Sequence, residues 1–460
     1  MAERREILET LARHRTFFES GARIPVETRR AGLRRLLALL RENRAKVFAA
    51  LSADLGKSEA EAAMTEFLPL VDALRFLIRR LPKLAAPKRV PVAAVNFPAR
   101  GRVVPEPYGL VLVVAAWNYP LLLSLEPVAA ALAGGNRVAL RLSNRSPKTM
   151  SLVGWLLEQA YPEEVTVLRG ELSFEEMLAE KFDSIFFTGG RTVGRRVLEA
   201  ASAHLTPVTL ELGGKSPCIV VAGADLRVAA RRIVWGKFTN AGQTCVAPDY
   251  LLVDQSVADD LLVEIRRAIR TQFSEDPLSN PDYPKIVDRT AYDRLVKLLS
   301  NGRLVAGGEC DPGRLTIAPT VIDGIGPEDP LMEDEIFGPI LPVFRFRGEE
   351  GLFEFLRGRE KPLALYCFGA CRKLRNRLVR ETSSGAVVFN DVVMHFLNRS
   401  MPFGGVGASG MGAYHGKYSF QTFTHLKPVM IQSDRIDWPF RYPPFRGWKG
   451  GLIAFLTRSL

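Results

Sequence analysis

The feature that most constrains the fold is a regular alternation of short apolar strands and longer helices that begins near residue 109. The stretch LVLVVAAW (110–117) is short, branched and apolar, as a buried strand should be, and LLLSLEPVAAALAGG (121–135) follows it as a helix ending at a glycine pair. The alternation continues through PVTLELGG (207–214) and, in a second series, from DYLLVDQ (249–255) to about residue 390. It predicts an α/β fold with a doubly wound parallel sheet and a second α/β domain.

The segments outside this alternation have a different character. Residues 1–80 carry apolar positions at helical spacing, whereas PKLAAPKRVPVAAVNFPARGRVVPEP (82–107) is proline-rich and alternating, which is typical of an extended arm. The chain after about residue 397 is rich in glycine, proline and aromatic residues and no longer alternates. We therefore expect one α/β domain in 1–84 and 103–211, a second in 212–396, and an arm with a C-terminal tail in 85–102 and 397–460.

Charge and cysteine usage argue against several classes of function. The net charge is +12, but the arginines are spread along helical patterns such as RRAGLRRLLALLRENRAKVF, which favours a solvated basic surface over a polyanion partner; no nucleic-acid groove is expected. The five cysteines are scattered and no Cys/His cluster has zinc spacing, so we expect neither a disulfide framework nor a metal site. Reduced thiols, a charged N-terminus and the lack of any run of about 20 apolar residues favour a cytoplasmic protein.

A glycine-rich turn lies between a strand and a helix in FFTGGRTVGRRV. It contains Gly189, Gly190 and Gly194. A helix N-terminus reached through such a turn is suited to bind the phosphates of a dinucleotide. The spacing departs from the usual G-x-G-x-x-G pattern, so an ordinary strand-to-helix turn remains the alternative.

Three polar side chains follow predicted strands or helices and could carry chemistry together. Cys245, in FTNAGQTCVAPDY, is a buried small residue, a metal ligand or a nucleophile. Glu211, in LELGGKSP, is a turn acid or a general base. Asn118, in AAWNYP, is a turn residue or an oxyanion donor. Each alternative is open when a residue is taken alone. Taken together they supply a nucleophile, a base and a donor, which are the parts that covalent acyl chemistry requires.

Six segments of the sequence resemble the aldehyde dehydrogenase superfamily, and most closely its class 3 branch. They occur in the expected order between residues 110 and 425: AAWNYPLLL, FFTGGRTVG, LELGGKSP, WGKFTNAGQTCVAPDY, EDEIFGPILPV and MPFGGVGASGMGAYHGKYSFQTFTH. The resemblance implies that Cys245 is the catalytic thiol and that Asn118 and the Cys245 backbone N–H hold the oxyanion formed on the aldehyde. It also implies that hydride passes to a nicotinamide cofactor and that Glu211 activates the water that hydrolyses the thioester to a carboxylic acid.

The same resemblance implies a cofactor site for NAD or NADP. Glu335 would hold the nicotinamide ribose and Phe337 would pack against it. The other residues assigned to this site are Trp117, Arg141, Asn144, Gly189, Gly190 and Gly194. At LRLSN (140–144), Arg141 and Asn144 replace the lysine and glutamate that many relatives use to bind the adenosine ribose. Because a carboxylate would repel a 2′-phosphate and a guanidinium suits one, NADP becomes credible beside NAD; a plain ribose contact by Arg141 is the alternative.

The resemblance also implies a substrate tunnel and a homodimer. Tyr119, Trp235 and Thr244 lie where class 3 relatives line the aldehyde tunnel, and the motifs offer no arginine to bind a second carboxylate. These features favour apolar aldehydes, medium- or long-chain aliphatic or aromatic. The alternatives are an acylating dehydrogenase that uses coenzyme A, or a non-catalytic scaffold with the same fold.

The tail WPFRYPPFRGWKGGLIAFLTRSL (438–460) mixes aromatic, basic and apolar residues. It could cover the tunnel, contact a membrane surface peripherally, or pack on the partner subunit. Its prolines and glycines argue against a long amphipathic helix.

Overall fold

The computed structural model describes residues 2–458 of the chain and divides it into two compact units. The larger unit combines Met1–Leu84 with Pro107–Thr424, and the smaller combines Ala85–Glu106 with His425–Leu460. The larger unit contains two predominantly parallel sheets with helices packed against them, so the predicted α/β fold is confirmed. The division of this unit between a cofactor domain and a catalytic domain stays a prediction.

The first sheet has six strands and carries much of the candidate site. All its neighbours pair in parallel except the short edge strand Gly410–Met411, which runs antiparallel to Val208–Leu212. Its strands, from one edge to the other, are Gly410–Met411, Val208–Leu212, Ser184–Gly189, Leu110–Val114, Arg137–Arg141 and Val165–Leu168.

The central strand Leu110–Val114 shows why this sheet is covered on both faces. All five of its residues are buried, as expected for a parallel strand between two helical layers. Leu110 and Leu112 join a core cluster with Leu11 and Val197, which belong to helices on one face. Successive side chains of a strand alternate, so Val111 and Val113 face the opposite layer.

The helix Leu122–Gly134 connects the central strand to the next one, as the sequence predicts. It is almost wholly buried, and its run of alanines allows close packing against the sheet. It ends at Gly135, whose left-handed φ of 94° is readily reached by glycine. The helices that accompany the first sheet are Ala2–Glu19, Val26–Glu42, Arg44–Leu55, Glu59–Ala62, Leu68–Ala85, Leu122–Gly134, Pro147–Ala160, Phe174–Ala179, Arg191–Ser202 and Lys417–Thr422. A π-helical turn, Ala63–Phe67, joins two of them.

The second sheet has seven strands and its own apolar core. Only the edge strand Arg303–Ala306 is antiparallel to its neighbour; the other pairs are parallel. In spatial order the strands are Arg303–Ala306, Thr320–Asp323, Ile340–Phe346, Tyr250–Asp254, Pro217–Val220, Ala364–Phe368 and Ala386–Phe389. The associated helices are Leu226–Phe238, Ala258–Phe273, Arg289–Leu298, Gly348–Arg357 and Arg372–Glu381, with a separate pair of two-residue strands, Cys310–Asp311 and Thr316–Ile317.

The smaller unit is built around a three-stranded sheet. Its strands are Lys88–Val90, Arg100–Pro107 and Thr424–Ile431, and most of their residues are at least partly exposed. In the tail, the helix Trp448–Arg458 begins after Pro443, Pro444 and Gly447 and includes Gly450 and Gly451, so these two glycines lie within a short helix. Across residues 2–458, no helix combines the length and apolar character needed to cross a membrane.

Candidate active site

A cavity of about 780 Å³ in the larger unit collects nearly all the residues that the sequence predicts for the site. Its wall draws on the carboxyl ends of the central strands of the first sheet, where ligands of open α/β sheets bind. The predicted residues on this wall are Trp117, Asn118, Tyr119, Arg141, Asn144, Gly189, Gly190, Glu211, Trp235, Thr244, Cys245, Glu335 and Phe337.

Gly194 is the predicted site residue that does not line the cavity. It lies inside the helix Arg191–Ser202, where a Cβ would come within 2.9 Å of the Leu212 side chain. Its observed contact is therefore helix-to-strand packing. Gly190 instead precedes the first turn of this helix, and a Cβ there would meet nothing within 4 Å. The backbone at Gly190 thus leaves room at a helix N-terminus, where the dipole favours an anion.

Cys245 follows a sharply bent loop that begins where the helix Leu226–Phe238 ends. Asn240 and Ala241 in this loop have left-handed φ values of 54° and 50°, and the Asn240 N–H donates to Glu61 at 2.8 Å. The surrounding structure therefore holds this backbone in a strained conformation, as is common at functional sites.

The Cys245 thiol is partly buried on the cavity wall, and burial, with the charges of Glu335 and Glu211, raises its pKa. The thiol is therefore neutral unless positive charge lies nearby.

Asn118 lies in the short segment between the central strand and the helix Leu122–Gly134. Its Nδ2 donates to the carbonyl oxygen of Gln243 at 3.0 Å, and its own carbonyl oxygen accepts from Asn240 Nδ2 at 2.9 Å. An amide nitrogen has two hydrogens, so one remains for a ligand in the cavity. Asn118 is thereby tied to the loop that carries Cys245, although 127 positions separate the two residues in the chain (245 − 118).

Glu211 is a buried acid that has neither an ion-pair partner nor a hydrogen-bond donor among residues 2–458. It is 5% exposed, and neither carboxylate oxygen accepts a hydrogen bond from the described protein groups. Burial raises its pKa well above the ordinary value for glutamate. A carboxylate whose pKa is raised holds a proton more strongly than an exposed one, which suits a general base.

Glu335 is held beside the backbone of the LELGG segment. A Cβ on Gly213 would lie 1.8 Å from Glu335 Oε2, so only glycine leaves room for this carboxylate. Burial, with the charge of Asp249, raises the pKa of Glu335 to about 8. Phe337 follows with a left-handed φ of 48°, and its ring packs edge-to-face with Trp117, with centroids 5.4 Å apart.

The segment that carries Glu335 is anchored by two charged residues that the sequence reasoning did not assign. Lys215 Nζ pairs with Asp249 Oδ2 at 2.5 Å and also donates to the carbonyl oxygens of Leu331 and Asp334. Asp249 Oδ1 accepts from the Ile336 N–H at 2.9 Å. Both residues belong to the family motifs, so the signal was present, but the backbone groups that they hold, at Leu331, Asp334 and Ile336, are more than 80 positions away.

Arg141 ends the strand Arg137–Arg141 and lines the cavity together with Asn144. Its Nη1 is buried and makes no hydrogen bond to a described protein group. A buried guanidinium nitrogen is costly unless it meets an acceptor, so this atom is available for an oxygen of a ligand.

The remainder of the wall is mostly apolar. Tyr119 Oη and Thr244 Oγ1 are 2.5 Å apart, and Trp235 lies on the same wall. The sequence reasoning missed most of the residues that complete this surface: Met64, Leu122, Leu123, Val393, Met394, Phe396, Leu397, Phe403 and Tyr414. They come from distant segments, and no local pattern marks them as neighbours.

A sequence model of the aldehyde dehydrogenase family matches residues 1–429. The chain belongs to the aldehyde dehydrogenase family. It is similar to aldehyde dehydrogenase family 3 member A2 of Rattus norvegicus, with 42% identity over 94% of this chain and 90% of that protein. It is also similar to the dimeric NADP-preferring aldehyde dehydrogenase of Rattus norvegicus, with 40% identity over 95% of this chain and 98% of that protein.

A solved structure, the substrate-bound state of Staphylococcus aureus AldH, shares the fold with a TM-score of 0.94. The two chains are 38% identical, and the match covers 98% of this chain and 99% of the other. The predicted membership of the family, in its class 3 branch, is thus confirmed. The protein is an NAD(P)-dependent aldehyde dehydrogenase, and the scaffold alternative falls away.

Proposed function

We propose that this dehydrogenase oxidises apolar aldehydes, medium- or long-chain aliphatic or aromatic, to carboxylic acids through a thioester on Cys245. The observation that carries the proposal is the convergence of Cys245, Asn118 and Glu211 on one largely apolar cavity. The three residues come from separate segments, and each has the chemistry that one step of acyl transfer requires.

In the first step the Cys245 thiol releases its proton to solvent water, the thiolate sulfur adds to the carbonyl carbon of the aldehyde, and the carbonyl oxygen becomes an oxyanion. The free hydrogen of Asn118 Nδ2 and the Cys245 backbone N–H stabilise that charge. A nicotinamide cofactor held at this site would supply the acceptor for the hydride that the same carbon loses as the thioester forms. Glu211 then takes a proton from water, the resulting hydroxide attacks the thioester, and the carbon–sulfur bond breaks to release the carboxylic acid and the thiolate.

The residues on the wall fit such a cofactor. Glu335 and Phe337 would hold the nicotinamide ribose, Gly190 would lie near the diphosphate, and Arg141 with Asn144 would meet the adenosine ribose. The buried and unpartnered Arg141 Nη1 supports this assignment, because a ribose hydroxyl or a 2′-phosphate would supply its missing acceptor. With no acid at position 144, we propose that the enzyme accepts NADP as well as NAD.

The proposed preference for apolar aldehydes rests on the partners of the cationic residues on the cavity wall, because a paired cation is not free to bind a carboxylate of the substrate. Arg145 pairs with Asp288 at 2.6 Å and stacks on Trp117, while Arg294 donates to the Ile336 carbonyl oxygen at 2.5 Å. Both therefore belong to the proposed cofactor side. Burial lowers the pKa of His415, so this residue is neutral at physiological pH and offers no cation to a substrate carboxylate.

A panel of aldehydes tests the substrate class. The kcat/KM should be higher for hexanal, a long-chain alkanal, benzaldehyde and a cinnamaldehyde than for succinate semialdehyde. Best turnover of the semialdehyde would overturn the apolar preference. Cys245→Ala should abolish formation of NAD(P)H with every substrate. Accumulation of an acyl-coenzyme A product, in place of free acid, would favour the acylating alternative.

We propose a homodimer in which the smaller unit takes part. Its three-stranded sheet is largely exposed, and an exposed sheet with free edges is prone to pair with another chain. Light scattering of the purified protein should give about twice the chain mass.

A peripheral membrane contact of the tail, or a cover over the tunnel, stays a prediction. Deleting residues after about 437 tests the cover, because it should raise KM for long aldehydes more than for short ones. Sedimentation of the intact protein with anionic vesicles tests the membrane contact.

A further inference from the structure

A fully buried ion pair lies directly behind the proposed oxyanion site. Lys57 Nζ and Glu66 Oε1 are 2.6 Å apart, and both side chains are 0% exposed. Neither residue lines the cavity or has a step in the proposed mechanism. A buried pair is costly to form unless its remaining donors and acceptors are also used, so the other contacts of these two side chains show what they hold.

Lys57 uses its remaining hydrogens on the segment that carries Asn118. Its Nζ donates to the Asn118 carbonyl oxygen at 3.3 Å and lies 4.1 Å from the ring centroid of Tyr119. An ammonium group has three hydrogens, and the carboxylate, the carbonyl and the aromatic face account for all of them. Each hydrogen of the Lys57 ammonium group therefore has a partner, and this group holds the peptide that follows Asn118 in place.

Glu66 holds the other end of the same segment. Its Oε2 accepts hydrogen bonds from the N–H groups of Leu121 at 2.8 Å and Leu122 at 3.2 Å. These groups begin the helix Leu122–Gly134 and have no partner within it. A carboxylate at this end also interacts favourably with the helix dipole. The pair thus binds both ends of the five-residue stretch from 118 to 122.

Glu66 lies in a turn whose geometry departs from that of an α-helix. Residues Ala63–Phe67 form a π-helical turn between two α-helices. Such turns add a residue to the helix and occur frequently at functional sites. Met64 and Thr65 of the same turn line the cavity, so one turn faces both the substrate space and the segment behind it.

We propose that Lys57 and Glu66 are positioning residues for the oxyanion donor, an inference that rests on the role proposed above for Asn118. The Asn118 side chain is short, so the direction of its Nδ2 follows the position of its backbone. A misplacement of about 1 Å in a catalytic group can cost on the order of 100-fold in rate. The pair also holds Tyr119, whose hydroxyl contacts Thr244 next to the nucleophile.

Rapid-mixing measurements on the full-length enzyme test this role. Lys57→Met should slow the burst of NAD(P)H, expressed per active site, by about 10- to 100-fold. The KM for hexanal should change little, and NADP binding, followed by quenching of tryptophan fluorescence, should be unaffected. An unchanged burst rate in correctly folded Lys57→Met enzyme would overturn the proposal.

The neutral variant Lys57→Met/Glu66→Gln separates positioning from folding. It leaves neither member of the pair as an unpaired buried charge, so its thermal stability and folded yield should exceed those of Lys57→Met. Its burst should nevertheless stay slow, because the Asn118 carbonyl still lacks the ammonium donor. Recovery of the burst together with stability would mean that the pair has a purely structural role. As a control, Arg345→Met removes a partner of the buried Asp323 outside the cavity wall and should lower stability without slowing the burst.

A double-mutant cycle with Asn118→Ala distinguishes failure of this inference from failure of the proposed function. If Lys57 acts through Asn118, Lys57→Met should slow the burst far less in the Asn118→Ala enzyme than in the wild type. Equal effects in both backgrounds would reject the positioning role while leaving the role of Asn118 intact. An unchanged burst in Asn118→Ala alone would instead refute the proposed oxyanion donor.

Discussion

The carboxylate of Glu335 lies against Gly213 so closely that a Cβ there would be 1.8 Å from Glu335 Oε2. The two residues are 122 positions apart (335 − 213), and the contact joins the turn after the strand Val208–Leu212 to the segment anchored by Lys215 and Asp249. The glycine is therefore required by the approach of another side chain, because its own φ is not among the left-handed ones.

Gly213→Ala should displace Glu335 and weaken binding of the cofactor by tenfold or more, on the order of 1.4 kcal/mol. Titration with NAD or NADP, followed by tryptophan fluorescence, measures this effect without relying on turnover. Gly351→Ala is the matched control, because a Cβ at this position in the helix Gly348–Arg357 meets nothing within 4 Å. Wild-type affinity in Gly213→Ala would show that Glu335 does not contribute to cofactor binding.

Glu211→Gln should slow hydrolysis of the thioester far more than transfer of hydride. Burial raises the pKa of this carboxylate, and loss of a general base costs on the order of 10²–10⁴ in rate. Rapid mixing should show a retained burst of NAD(P)H followed by a depressed steady state. Unchanged steady-state turnover would remove Glu211 from the mechanism.

Asn144→Glu should weaken NADP binding selectively. The new carboxylate would repel a 2′-phosphate near Arg141, whereas the ribose hydroxyls of NAD would donate hydrogen bonds to it. Dissociation constants for both cofactors, measured by fluorescence, should show a larger rise for NADP. Asn144→Gln, which is similar in size and uncharged, is the control and should affect the two cofactors alike. Absence of any NADP binding in the wild type would contradict the dual specificity.

Glu61→Gln should flatten the dependence of stability on pH. Burial is the main reason that the pKa of Glu61 rises from 4.5 to about 7. The folded protein therefore holds this proton more tightly than the unfolded chain, and the resulting stabilisation is present below pH 4.5 and lost as the pH rises through about 7.

Urea unfolding at pH 5 and pH 8 measures this contribution. The wild type should lose about 2 kcal/mol more of its unfolding free energy between these pH values than Glu61→Gln does. Glu59→Gln, an exposed neighbour, should behave as the wild type. A variant with the wild-type loss would show that Glu61 does not titrate in this range.

The sequence by itself determined the elements of the fold and the family. The predicted helix at 121–135 and the strands at 110–117 and 207–214 are present within a few residues of their expected ends, because hydrophobic periodicity and glycine signals act over short stretches. The family motifs selected residues that prove to line one cavity, since a motif records the local backbone that a site requires.

Only the tertiary structure decided which of these residues touch, and what surrounds them. Packing between separate segments produces three features of the site: the lack of hydrogen-bond partners for Glu211 among the described residues, the contact of Glu335 with Gly213, and the position of Gly194 against Leu212. Lys57 and Glu66 are nine positions apart in the sequence, which is not the spacing of a helical charge pair, yet they pair fully buried behind Asn118. Burial and distance depend on how the elements pack, and packing sums many weak contacts between residues far apart in the chain, which no local pattern encodes.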